Sequence, residues 1–110
     1  MLALALIWAA PAWAEPPAGA DPDLAPWFQG LKQPGTTISC CSIADCRTVV
    51  TRERDGHIEA FVPRRDFPAG IDAWVTVPDA RVLRGEANPT GEPVLCWAGE
   101  VRCFVPAGGF

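Results

Sequence analysis

The chain has 110 residues, with 13 acidic and 9 basic side chains and a formal net charge of −4. This length fits one small domain and excludes several. The acidic balance argues against nucleic acid as a partner, and we expect no cofactor.

The first fourteen residues carry no charged side chain, and an apolar run extends from Leu2 to Ala10. This run is shorter than the roughly 20 apolar residues that cross a bilayer, and Ala12-Trp13-Ala14 matches the pattern of a signal-peptide cleavage site. We therefore predict an export signal over 1–14 and a periplasmic or secreted mature protein. Residues 15–26, rich in proline, alanine and acids, are predicted to form a flexible tether.

One domain is predicted over 27–110. The spacing of Trp27, Phe28 and Leu31 predicts a helical turn that Pro34-Gly35 ends. A second turn is expected at the cysteines of the SCCSIADC segment.

Two β-branched runs, 47–54 and 57–62, flank Asp55-Gly56, a dipeptide typical of a type I′ hairpin turn. A two-residue loop sets Arg54 opposite His57 and continues the pairing to Val49 opposite Val62. A third strand is predicted in WVTVP, followed by a turn at NPTG.

A second hairpin is predicted in VLCWAGEVRCFV. Its symmetry pairs Val94 with Val105, Leu95 with Phe104, Cys96 with Cys103, and Trp97 with Arg102, around a four-residue loop 98–101. Opposed residues in an antiparallel ladder lie within disulfide range, so this register predicts a Cys96–Cys103 bridge. The alternative is that each of these two cysteines bridges to the first cysteine cluster.

The first cluster holds Cys40, Cys41 and Cys46. Neighbouring residues in an extended chain point to opposite faces, so only one of the adjacent pair is expected to bridge Cys46. We predict a Cys41–Cys46 bridge and a free thiol in the adjacent pair, at Cys40. The alternative is a copper or zinc site or a redox sensor at these three cysteines, with His57 as a possible fourth metal ligand.

No catalytic motif accompanies the only histidine. Ser39, Ser42, Asp45 and His57 lack any nucleophile-elbow pattern, and there is no C-x-x-C motif of the thioredoxin type. We expect that the protein is not an enzyme.

A candidate binding patch arises because five of the nine basic residues fall within nineteen positions. It could meet a protein, a glycan or an anionic surface, with an exposed tryptophan as a recognition platform. The patch residues are Arg47, Arg52, Arg54, Arg64, Arg65 and Trp97.

The segments SCCSIADCR, WVTVP, NPTG and VLCW with CFVP together resemble a group of small exported alphaproteobacterial proteins. The similarity extends from Trp27 to Pro106. It implies export and a compact domain stapled by disulfides, and it carries over no catalytic residue.

We predict a small, mainly antiparallel β domain of four to five short strands with one or two helical turns, stapled by disulfides. Its predicted function is that of a monomeric, non-enzymatic binding module. Thiol or metal chemistry at the first cysteine cluster is the alternative.

Overall fold

The computed structural model describes residues 22–108 of the chain. The predicted export signal and residues 15–21 of the predicted tether lie outside the described residues. Regular structure begins with a 3-10 turn over Pro22–Leu24 and helix α1 over Ala25–Gly30. It therefore starts earlier than the predicted start at Trp27, because Leu24 packs against the same apolar core as Trp27.

Six short strands and two short helices form the described part of the domain. Helix α2 covers Cys40–Ile43, and a second 3-10 turn covers Asp79–Arg81. The strands are β1 (Asp45–Thr48), β2 (Thr51–Arg54), β3 (His57–Val62), β4 (Ala73–Thr76), β5 (Val94–Trp97) and β6 (Val101–Val105).

The strands form two antiparallel sheets of three strands each. The first sheet has the order β1-β5-β6 and the second has the order β2-β3-β4. The prediction of a small, mainly antiparallel β domain with one or two helical turns is thus confirmed, with one strand more than expected.

The extra strand arises because the predicted run 47–54 is divided between the two sheets. At the division, the Val49 N–H donates to the Pro93 carbonyl beside β5, whereas the Val50 carbonyl accepts from the Phe61 N–H in β3. Val49 and Val50 therefore carry the chain from the first sheet to the second, and the predicted ladder between Val49 and Val62 is not part of the β2–β3 pairing.

The β2–β3 hairpin has the predicted register, from Arg54 opposite His57 to Thr51 opposite Ala60. Asp55 and Gly56 both have positive φ, at 52° and 77°, as a type I′ turn requires.

The β5–β6 hairpin confirms the first three predicted pairs, including Cys96 opposite Cys103, but Trp97 lies opposite Val101 and not Arg102. The reason is a three-residue loop, 98–100, in which Gly99 has a φ of 77°. The register then shifts after Cys96, as three-residue hairpin loops with a bulge commonly do.

The first sheet separates two apolar cores. One face carries the bridged cysteines with Val94 and Val105 and packs against Phe28 and Leu31 of the N-terminal segment. The other face packs Leu95, Trp97 and Phe104 against residues of the second sheet, Ala60 and Val62 among them. Within 22–108 no helix combines the length and apolarity that spanning a bilayer needs.

Candidate functional site

Four of the five cysteines form two disulfides, Cys40–Cys103 and Cys46–Cys96, and Cys41 is free. The predicted Cys96–Cys103 and Cys41–Cys46 bridges are therefore wrong, and so is the free thiol at Cys40. The alternative that both C-terminal cysteines bridge to the first cluster is the one that the structure has, and the free thiol does lie in the adjacent pair.

The physical reason is the position of β5 at the centre of its sheet. Cys96 has a cross-strand partner on each side, Cys46 in β1 and Cys103 in β6. Cys40 and Cys41 lie in helix α2 and not in an extended chain, so their side chains do not point in opposite directions. Cys40 is fully buried against β6, to which it is bridged.

Cys41 lies partly buried beside the Cys46–Cys96 disulfide. Its Sγ is 2.8 Å from the Cys46 Sγ, and its S–H donates to the Phe28 carbonyl over 3.1 Å. Burial, with a smaller contribution from the negative charge of Asp45, raises the pKa of the Cys41 thiol to about 11. A thiol with so high a pKa is almost entirely protonated at neutral pH and is a weak nucleophile and metal ligand.

The predicted metal-ligand set is not assembled in the disulfide-bonded protein. Cys40 and Cys46 are bridged, so their sulfurs are not thiolates, and the exposed His57 lies at the hairpin end of the second sheet. The sulfurs of Cys41, Cys46 and Cys96 do lie within 4.8 Å of one another. A metal site there would first require reduction of a disulfide, and it stays a prediction.

The predicted arginine patch is not continuous. Arg47 belongs to the first sheet, and Arg54 and Arg64 lie at opposite ends of β3. Arg52 pairs with Glu59 over 2.7 Å and lies over the Trp74 ring at 4.1 Å. These charges are close in sequence, but they lie along a hairpin whose longer strand, β3, extends over about 20 Å.

Arg64 and Arg65 are largely exposed and lie 3.8 Å from Asp72 and Asp66, respectively. Trp97, in contrast, differs from a free aromatic surface. Trp97 is only 5% exposed, and its indole N–H donates to the Ala69 carbonyl over 2.8 Å. Trp97 is therefore core material and not a recognition platform.

A groove of about 350 Å³ lies where the chain crosses from the first sheet to the second. We call it the seam groove. Its apolar lining includes Val50, which at 69% is the most exposed large hydrophobic residue of the described chain. The full lining is Thr48, Val49, Val50, Thr51, Phe61, Pro63, Arg65, Asp66, Glu92 and Pro93.

The chain crossing between the sheets forms one wall of this groove. Val49 and Val50 lie between β1 and β2, and their hydrogen-bond partners Pro93 and Phe61 also line the groove. The prediction from sequence missed this site, although the adjacent Val49 and Val50 offered a signal. Neighbouring residues of a strand face opposite sides, so both valines could not reach one core.

Comparison of the chain with protein-family models, with curated proteins and with solved structures gives no match. The two disulfides are characteristic of proteins from an oxidising compartment. The site is therefore interpreted from its own geometry.

Proposed function

We propose that this chain is an exported, non-enzymatic binding module that holds an extended segment of another polypeptide in the seam groove. The periplasm or the extracellular space is the proposed location, because the sequence has a signal-like start and the domain has two disulfides. The observation that carries the proposal is the exposed Val50 side chain in a groove where the chain crosses between the two sheets.

Apolar surface in a groove favours a ligand with an apolar side chain. Val50 is exposed, and its neighbours Val49 and Phe61 are partly exposed at the groove. Covering this hydrocarbon is favourable by about 25 cal/mol per Å². The groove volume is at the lower end of the range typical of ligand sites.

The rim of the groove suits a polypeptide because it offers both charge signs and hydroxyl groups. Arg65, Asp66 and Glu92 supply the charges, and Thr48 and Thr51 supply the hydroxyls.

A glycan and an anionic surface fit less well. Trp74 lies beneath the Arg52 guanidinium and against the edge of Phe61, so it is not a free platform for sugar stacking. An anionic surface would require a continuous cationic patch, and the arginines are dispersed.

Site-specific photocrosslinking tests the proposal. A photoreactive residue replaces Val50 in one protein and the exposed Ala80 in a control, and each full-length chain is irradiated in the cells from which the sequence comes. We expect a discrete protein adduct from position 50 and none from position 80.

A groove-filling substitution then tests specificity. Thr48→Arg places a long side chain in the groove and should reduce the adduct from position 50 at least tenfold. The matched Thr76→Arg substitution, at an exposed position of β4, should leave it unchanged. Equal adducts from positions 50 and 80, or an adduct that Thr48→Arg does not reduce, would contradict the proposal.

A further inference from the structure

The five cysteine sulfurs form one continuous cluster with Cys96 at its centre. The sulfurs of Cys40, Cys96 and Cys103 lie within 4.8 Å of one another, and so do those of Cys41, Cys46 and Cys96. The free Cys41 sulfur is 2.8 Å from the Cys46 sulfur. Each sulfur of the cluster thus lies close to a second cysteine sulfur to which it is not bonded. Thiol–disulfide exchange needs this geometry.

The order in which these cysteines meet during oxidation differs from the final pairing. Cys41 and Cys46 lie five residues apart, and Cys96 and Cys103 lie seven residues apart. The bridged pairs are separated by 63 and 50 residues. The probability of loop closure falls as about the 3/2 power of loop length. In the unfolded chain each local pair is therefore favoured about 30-fold over the long-range pairs.

We propose that the cluster is an internal exchange path that converts two local disulfides, Cys41–Cys46 and Cys96–Cys103, into the two long-range ones as the chain folds. This inference goes beyond binding at the seam groove and does not depend on it. It assigns a role to the fifth cysteine, which a chain with two disulfides does not otherwise need.

The path has two steps, and each one forms one sulfur–sulfur bond and breaks one. In the first, the Cys40 thiolate attacks the Cys103 sulfur, the Cys40–Cys103 bond forms, and Cys96 leaves as a thiolate. In the second, the Cys96 thiolate attacks the Cys46 sulfur, the Cys46–Cys96 bond forms, and Cys41 leaves and takes a proton. The number of disulfides and thiols stays constant, so the exchange needs no external oxidant or reductant.

The surroundings of Cys41 favour this end point. The released thiol donates to the Phe28 carbonyl of α1 and is partly buried. Of the elements around it, α1 has no ionisable side chain, and Asp45 of β1 adds a negative charge that opposes the thiolate. The protonated form is therefore held in place, and attack of Cys41 back on Cys46 is suppressed.

The test follows the disulfides during refolding of the full chain. The reduced chain is oxidised with glutathione disulfide in denaturant, and the species with Cys41–Cys46 and Cys96–Cys103 is separated at acid pH from the Cys40–Cys46 species and from glutathione adducts. It is then diluted into native buffer at pH 8 without added thiol. Samples are quenched with N-ethylmaleimide and mapped, with fragmentation between Cys40 and Cys41. We expect the two local disulfides at the start and the two long-range ones at the end.

The kinetics distinguish an internal path from exchange between molecules. The conversion rate should not change over a tenfold range of protein concentration, and one thiol per chain should move from Cys40 to Cys41. Absence of the local pairs at the start, a rate proportional to concentration, or conversion only after added glutathione would overturn the proposal.

Two matched variants isolate the first nucleophile. Cys40→Ser, with both local disulfides formed, has no thiol, so its conversion should fall to less than one tenth of the unmodified chain's. The double variant Cys41→Ser/Cys46→Ser keeps Cys40 as its one thiol beside Cys96–Cys103 and should still exchange Cys96–Cys103 for Cys40–Cys103. Formation of Cys46–Cys96 in Cys40→Ser at the rate of the unmodified chain would contradict the path.

Discussion

At the scale of single residues, the low reactivity expected of Cys41 follows first from its partial burial and second from the charge of Asp45. The thiol keeps contact with solvent, yet it lies against the Phe28 carbonyl, the Cys46 sulfur and the charge of Asp45. All three disfavour a thiolate, because they offer it no hydrogen-bond donor or positive charge. We therefore expect the Cys41 thiol to react slowly in the folded protein.

The pH dependence of alkylation measures this effect. Only the thiolate reacts, so a pKa raised from 9.0 to about 11 lowers the reactive fraction at every pH below that value. We predict that the rate of Cys41 alkylation by iodoacetamide in the folded protein rises about tenfold per pH unit from 7 to 10. In the denaturant-unfolded chain, with its disulfides intact, the rate should level off near pH 9. A plateau below pH 9 in the folded protein would contradict the assigned environment.

Single residues also set a limit on what the sequence could predict. Arg52 was assigned to a binding patch from its charge and position, but in the structure its guanidinium pairs with Glu59 and lies over the Trp74 ring. Trp97 was assigned there because it is large and near Arg102, yet a hydrogen bond to Ala69 and burial place it in the core. Arg52 opposite Glu59 follows from the predicted hairpin register. The contacts of Arg52 with Trp74 and of Trp97 with Ala69 join distant parts of the chain, and no local pattern encodes them.

At the scale of elements, the loop between β3 and β4 fixes one wall of the seam groove. The N–H groups of Ile71 and Asp72 both donate to the Val62 carbonyl, at 3.1 and 2.9 Å, so the loop closes on the end of β3. Gly70 allows this closure, because a Cβ atom at this position would lie 2.5 Å from the Pro63 carbonyl oxygen. Pro63 itself lines the groove.

A glycine substitution tests this packing. Gly70→Ala should destabilise the fold by about 1–3 kcal/mol, because the backbone it would meet cannot move aside freely. Gly30→Ala is the matched control, since nothing lies within 4 Å of the Cβ position there, and it should cause no loss. Urea unfolding of both variants measures the difference, and equal stability of the two would show that the loop is not closely packed.

The elements that the sequence predicted best are those whose geometry is local. The β2–β3 register follows from Asp55-Gly56 alone, because a two-residue turn leaves no freedom in the pairing. The predicted pairing of Trp97 with Arg102 in the β5–β6 hairpin was wrong because the loop with Gly99 has three residues and not four. The division of the run 47–54 was missed because the partners of Val49 and Val50 lie in different sheets.

At the scale of the whole molecule, the disulfides connect parts of the chain that are far apart in sequence. Closing loops of 63 and 50 residues stabilises a fold by about 4 kcal/mol for each bridge in the chain-entropy view, against about 2 for the local pairs. The net stability of a small domain is only about 5–15 kcal/mol. The long-range bridges therefore account for much of the stability of the domain, and they act on the side of the first sheet, where they join α2 to β6 and β1 to β5.

Under the proposed function, export is the condition under which these bridges form. The uncharged apolar start and Ala12-Trp13-Ala14 predict cleavage after Ala14. N-terminal sequencing of the protein isolated from its cells should therefore begin at Glu15. A protein in the cytoplasmic fraction that retains residues 2–14 would contradict both the signal and the oxidising location.

The disulfide pattern is the feature of the whole molecule that the sequence could not determine. The sequence indicated the partner of Cys96 in β6, but no pattern in it indicated that β1 lies on the other side of β5. The choice between two cross-strand neighbours depends on sheet order, which is a long-range property. The local pairs that the sequence favoured are the ones that we expect early in folding.

Two long-range disulfides and one protected thiol define this scaffold. Peptide mapping of the oxidised protein tests this disulfide pattern most directly. The protein is isolated without reductant, unfolded in acid, labelled with a thiol reagent and digested. We predict one labelled residue, Cys41, and two linked peptide pairs, Cys40 with Cys103 and Cys46 with Cys96. A peptide pair linking Cys96 with Cys103, or a label on Cys40, would contradict this disulfide pattern.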